Sequence, residues 1–135
     1  MGWGSNKKQD EIEQTEKVQI NYTILNRWLE FILKGRTLSM YMQMHNFDSL
    51  MVYGGAEIGK RFVEFAISEG YNVNGIIDKK LEGEYKGILF TKEVCSNTDV
   101  IVVTPEYYFD SIEKELRDKT DAHITSVSQI IYEVG

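Results

Sequence analysis

The stretch Leu50-Met51-Val52-Tyr53-Gly54-Gly55-Ala56-Glu57-Ile58-Gly59, followed by Val73-Asn74-Gly75-Ile76-Ile77-Asp78, decides the fold class. Leu50 to Tyr53 is a run of large residues without alternation, which suits a central parallel strand covered on both faces. It turns through glycines into a helical pattern from about Glu57 to Glu69, with Ile58, Phe62, Phe65 and Ala66 inward. Gly70 is placed to end that helix by taking a left-handed conformation. Val73 to Ile77 make a second strand, and Asp78 stands at its carboxyl end. Strand, glycine turn, helix, strand and acid together form the pattern of a dinucleotide-binding βαβ unit.

The turn has a definite chemistry. A strand that bends sharply into a helix aims several free backbone N–H groups at one place, and the helix dipole adds partial positive charge there. Gly54 and Gly59 hold the first and third positions of the fingerprint, for the tight turn and for close helix–strand packing. Ala56 holds the second, where a glycine lets a pyrophosphate approach the backbone; the glycine is displaced to Gly55. Glu57 and Ile58 complete the loop, and Glu57 in the first helical turn serves the helix dipole. Asp78 is placed to accept hydrogen bonds from ribose hydroxyls and so favours NAD over NADP, a preference that Lys79 and Lys80 blur. Its other reading is a solvated acid at an exposed strand end, whose removal leaves stability untouched.

Working outward, Asn6 to Lys17 is charged and nearly free of apolar residues, which reads as a flexible polar terminus or a solvated first turn. Ile24, Leu25, Trp28, Leu29 and Ile32 then recur at helical spacing and are expected to bury as one stripe, closed by Lys34-Gly35. A short helix capped by Thr37 follows, carrying Leu38, Tyr41, Met42 and His45, with an exposed-looking run Met40 to Met44. Beyond Asp78, Lys79 to Lys86 is a loop, Gly87 to Phe90 a weak third strand, and Thr91 caps a brief helix over Lys92 to Cys95. Asp99 to Pro105 is the fourth strand, Tyr107 to Lys119 a helix, and Ile124 and its neighbours the last strand before a terminal turn or helix. The reading is therefore α/β: a Rossmann-like parallel sheet of order 3-2-1-4-5, helices on both faces, and an N-terminal helical extension. It divides into residues 1–17, 18–47 and 48–135. In that order the ligand crevice lies between the carboxyl ends of strands one and four, so Thr104, Pro105, Glu106 and Tyr107 are expected to face the glycine loop. Thr104 and Tyr107 equally suit capping of the next helix.

Composition narrows the classes. The 135 residues leave no room for a separate substrate domain, and a net charge of −6 speaks against nucleic-acid binding. One cysteine, Cys95, excludes an internal disulfide framework and a multi-cysteine zinc site. No apolar run is long enough to span a bilayer, and no signal-like segment opens the chain, so a cytoplasmic, bacterial-type location is expected. His45 and His123 lack metal-pair spacing and no metal is expected; no tyrosine has a lysine four residues later, and Arg61 breaks the nearest phosphate-loop match.

Leu25-Asn26-Arg27-Trp28-Leu29, Met51 to Lys60, Gly75 to Lys79, Asp99 to Thr104 and Phe109 to Ile112 resemble small Rossmann-like domains of bacterial surface-polysaccharide gene clusters, over roughly residues 22 to 132. Those domains look like the nucleotide-binding part of sugar epimerases and dehydrogenases, alone or joined to sugar-modifying transferases. They usually read Tyr-Gly-Ala-Gly-Glu-Ile-Gly where this chain reads Tyr53-Gly54-Gly55-Ala56-Glu57-Ile58-Gly59. The resemblance implies a nucleotide- or nucleotide-sugar-binding domain of capsular polysaccharide biosynthesis, taking NAD, NADP or a nucleotide-sugar, without a complete catalytic site. Two alternatives stay open: a degenerate scaffold that docks on a glycosyltransferase or other sugar enzyme, or an oxidoreductase or epimerase whose site is completed across a subunit interface; a homodimer stays open as a further partner.

Overall fold

A computed structural model describes residues 3–135, with side chains from residue 7 onward; residues 1 and 2 lie outside the described part. The chain runs α1 (Trp3–Leu33), α2 (Leu38–His45), β1 (Ser49–Tyr53), α3 (Glu57–Ser68), β2 (Asn72–Ile77), β3 (Glu84–Tyr85) and β4 (Ile88–Thr91). It continues through β5 (Val100–Val103), a 3-10 turn (Glu106–Tyr108), α4 (Phe109–Arg117), β6 (His123–Ser126) and α5 (Val127–Val134). The fold is α/β, with a mostly parallel six-stranded sheet flanked by helices.

The sheet order is β3-β4-β2-β1-β5-β6, not the five-strand order expected. The difference is β3, a two-residue strand from the charged loop after Asp78, which pairs antiparallel with β4 through Tyr85 and Ile88. Gly87 and Lys86, both at positive φ, make the tight turn that folds it back. β1 lies between β2 and β5, with Val52 opposite Ile76 on one side and Val102 on the other.

Strand alternation splits the interior into two layers. Leu50, Val52, Ile76, Val100 and Val102 face α1, α2, α3 and α5 through Trp28, Tyr41, Phe62 and Ile130. Met51, Tyr53, Ile77, Ile101 and Val103 face α4 through Ile112 and Leu116. Both sides of β1 and β5 are thus sealed, which is why those strands read as unbroken apolar runs.

Three local expectations are corrected. The polar segment up to Lys17 is not separate from the apolar helix: from Trp3 it belongs to α1, so no boundary falls at residue 17. The stripe Ile24-Leu25-Trp28-Leu29-Ile32 does not bury as one face; Ile24, Trp28 and Phe31 are in the core, whereas Leu25, Leu29 and Ile32 are exposed. Thr91 caps no helix, because its hydroxyl both donates to Glu93 O and accepts from Glu93 N, holding residues 91–93 in a turn.

The other helices stop and start as their residues dictate. Gly35 (φ 77°) and Gly70 (φ 84°) follow α1 and α3 in the left-handed region. The Thr37 hydroxyl accepts from Met40 N, and the Glu69 carboxylate accepts from the backbone N–H of Leu38 and Ser39 at 2.9 and 2.8 Å. One acid at the end of α3 thereby satisfies the positive end of α2 and ties the N-terminal helices to the sheet. No helix among the described residues is long and apolar enough to cross a membrane.

Candidate functional site

At the carboxyl ends of β1, β2 and β5 lies a crevice of about 420 Å³. Gly54 and Tyr53 form its floor, Asp78, Lys79 and Lys80 one wall, and Pro105, Tyr108, Ser111 and Glu115 the other. Parallel strands flanked by helices leave such a crevice where their ends diverge.

The glycine loop is held by packing at two positions. A Cβ on Gly59 would sit 1.8 Å from the carbonyl oxygen of Gly54, so the third glycine lets α3 lie against the end of β1. Gly54 has φ 100°, and a Cβ there would meet Thr104 Oγ1 at 2.7 Å and Pro105 at 2.9 Å. Buried Thr104 closes the joint by donating its hydroxyl to Tyr53 O at 2.8 Å.

Gly55 differs from its expected part. It is buried, and a Cβ there would lie 2.7 Å from Phe90 Cε1 and 2.9 Å from Leu81 Cδ1. Its small size therefore accommodates side chains of this same chain. Ala56 is the exposed N-cap of α3 and supplies no side-chain cap, so the first turn of that helix presents backbone N–H groups outward. Ile58 is in the core, whereas Glu57 is exposed, 4.0 Å from Arg61.

Asp78 is drawn into the loop itself. Its Oδ2 accepts from Gly55 N at 2.9 Å, and its Oδ1 accepts from Lys80 N and Leu81 N, each at 2.9 Å. Partial burial pushes the carboxyl up, but these three backbone donors and nearby Lys92 outweigh it and hold the group below the ordinary carboxylate value. Asp78 is thus not the freely solvated acid of the simpler reading; its loss breaks the joint between the glycine loop and the turn after β2. Lys79 reaches across the crevice to Glu115 Oε1 at 3.0 Å, which raises its ammonium pKa. Tyr53 is raised by burial, then by the carboxylates of Glu115 and Asp78.

Two residues expected to face the glycine loop turn elsewhere. The Tyr107 hydroxyl donates to Glu16 of α1 at 3.3 Å. Glu106 accepts from Ser128 N at 3.0 Å at the start of α5, where burial raises its pKa against these hydrogen bonds. In exchange Tyr108 and Glu115 enter the crevice wall. Residues 108, 111, 112 and 115 share one helical face, so the spacing was readable once the helix after β5 was placed beside the glycine loop.

α1 also reaches this region. The Tyr108 hydroxyl donates to Glu13 at 2.9 Å, and Lys17 lies 4.7 Å from the Tyr108 ring centre. Elsewhere, the fold joins two histidines far apart in sequence. His45 Nε2 is 2.6 Å from Glu133 Oε1, and the His45 and His123 rings stack at 5.4 Å. No group of three or more His, Cys, Asp or Glu suited to a metal ion occurs among the described residues.

In chemical terms the crevice is lined by two carboxylates (Asp78, Glu115), two lysines (Lys79, Lys80) and three hydroxyls (Tyr53, Tyr108, Ser111). The charges of that lining balance, and Lys79 is paired with Glu115 across the crevice. The chain matches no protein-family model, and no curated protein or solved structure is similar to it at a significant level.

Proposed function

We propose that this chain is a Rossmann-type domain that binds a nucleotide or nucleotide-sugar in the crevice at Gly54, with no complete catalytic site of its own. The observation that carries the reading is the uncapped first turn of α3, entered through Gly54 and fixed by Gly59, beside the crevice walled by Asp78 and Lys79. Such a turn stabilises a pyrophosphate through backbone N–H groups and the helix dipole. Lys80 adds positive charge at the rim, beside Lys79, which is paired with Glu115. NAD, NADP and a nucleotide-sugar all present this diphosphate. The context of bacterial surface-polysaccharide synthesis rests on the resemblance of residues 22 to 132 to domains of those pathways, and a cytoplasmic setting follows from it.

One observation favours a second reading, a scaffold that has given up its ligand to serve a sugar-modifying enzyme. Leu81 and Phe90 cover Gly55, and three backbone donors already occupy Asp78. A calorimetric screen with NAD, NADP, UDP- and GDP-sugars, coenzyme A and S-adenosylmethionine separates the two. Binding of a diphosphate ligand that is tightened by Ala56→Gly, at the exposed N-cap of α3, supports the first reading. No heat with any of them, on folded protein, overturns it in favour of the scaffold.

A further inference from the structure

The apolar residues of α1 are more than the domain uses. Ile20, Ile24, Trp28 and Phe31 pack onto the sheet layer. A second row, Val18, Tyr22, Leu25, Leu29 and Ile32, follows at spacings of four, three, four and three residues, and each is between 43% and 70% exposed. At about 100° per residue the five fall within an arc of roughly 80°, beside the buried row. Trp28 borders both rows. With Leu25, Leu29, Ile32 and Phe65 it lines an open groove of about 400 Å³ between α1 and α3, whose α3 edge carries Arg61, Glu64 and Ser68.

We propose that this row is the seam of a homodimer, in which residues 18–32 of α1 pair with the same residues of a second copy. An alternating four–three repeat is the repeat that keeps one helix in contact with another of the same repeat, and α1 carries it. The positions flanking the seam on α1 are Gln14, Gln19, Asn21, Asn26, Trp28 and Leu33, all uncharged, so two identical helices meet there without like-charge repulsion between their flanks. The exposed side-chain area of the row, with neighbouring Leu33, is on the order of 600 Å² per chain, at the limit for a lone monomer and near the ~800 Å² a side of a stable pair. A two-heptad seam is short for a free coiled coil, but α1 is already ordered, anchored by Trp28 and Phe31, so pairing carries no cost of forming the helix. The inference is independent of what the crevice binds.

The test uses the full chain in analytical ultracentrifugation across micromolar concentrations, with Leu25→Glu/Leu29→Glu as the variant. Both side chains lie outside the core, so the variant is expected to keep its helical circular dichroism. The expected result is twice the chain mass for the parent, one chain mass for the variant, and a melting temperature that rises with concentration only in the parent. Cross-linking gives a second measurement. In a Cys95→Ser background, Leu25→Cys at the middle of the seam meets its own copy in either helix orientation, whereas exposed Arg27→Cys does not. Oxidation should link the first faster by about tenfold or more, the effect of high local concentration. A monomeric parent at every concentration, a dimer that survives the double substitution, or equal cross-linking at 25 and 27 overturns the proposal.

Discussion

Replacing Gly59 by alanine sets two effects of opposite sign against each other. Gly59 lies in the first turn of α3, where helix propensity alone predicts that alanine stabilises by about 1 kcal/mol. The packing says otherwise. The new methyl would fall 1.8 Å from Gly54 O and 2.8 Å from Gly54 C, and both are backbone atoms that no rotamer change can move. Since a Cβ does not rest closer than 3.0 Å to such an atom, α3 must retreat by more than about 1 Å. That retreat loosens Ile58, Phe62, Val63 and Ala66 from the sheet and presses on Thr104, whose Oγ1 is 3.2 Å from the same point. Overpacking of this kind costs about 3 kcal/mol at the upper end of its usual range, so the net effect is a loss of roughly 2 kcal/mol. Urea unfolding followed by circular dichroism measures it directly. A neutral or stabilised Gly59→Ala protein would refute the close-approach argument.

Three other perturbations are informative. Ala56→Gly, at an exposed N-cap, should change stability by no more than about 0.5 kcal/mol and tighten any ligand that seats its phosphates on α3, as titration calorimetry would show; unchanged affinity removes the phosphate from this turn. Asp78→Ala should lower stability by about 2 kcal/mol in urea melts, because three backbone donors lose a charged acceptor; and because its folded pKa is depressed, the parent's contribution persists above about pH 4 and is lost as pH falls through the folded value. Glu106 carries the opposite sign: its raised folded pKa means that stability falls as pH climbs from about 4.3 through the folded value, and Glu106→Gln, which keeps an acceptor for Ser128 N, should abolish that slope in melts across pH.

The sheet was legible because its evidence is local. Val100 to Val103 and Leu50 to Tyr53 are sealed on both faces, and burial on both faces leaves an unbroken apolar run in the sequence. Gly54 and Gly59 were legible for the same reason, since turn and close approach are both made between neighbours in the chain. What escaped was long-range. The hydrogen bonds from Tyr107 and Tyr108 join residues more than 90 positions away on α1, and no local pattern announces them. The polar start of α1 is helical, because its Lys, Gln and Glu residues are good helix formers even without an apolar stripe. The single stripe drawn over residues 24 to 32 failed for a geometric reason: periodicity finds apolar positions on a helix but does not say how wide a face the neighbouring sheet covers.

Asp78 shows how a motif residue can be read correctly in place and differently in work. It stands at the end of β2, where a ribose would need an acceptor. An ionised carboxylate has about four acceptor sites, and three are engaged by Gly55, Lys80 and Leu81. One site is left, so a bound ribose gains a single hydrogen bond there unless the Lys80–Leu81 turn opens. The same three bonds fix Gly55 beneath Leu81, which makes the loop a preformed surface and lowers the ordering cost of seating a phosphate. Under the proposed nucleotide-binding function, selectivity for the ribose is given up in part for rigidity of the glycine loop. A ligand recognised mainly through its diphosphate, with little discrimination between NAD and NADP, is the expected consequence. Equilibrium titration of both dinucleotides checks it, and a preference for either of more than about a hundredfold, some 2.7 kcal/mol, would show that Asp78 still reads the ribose in full.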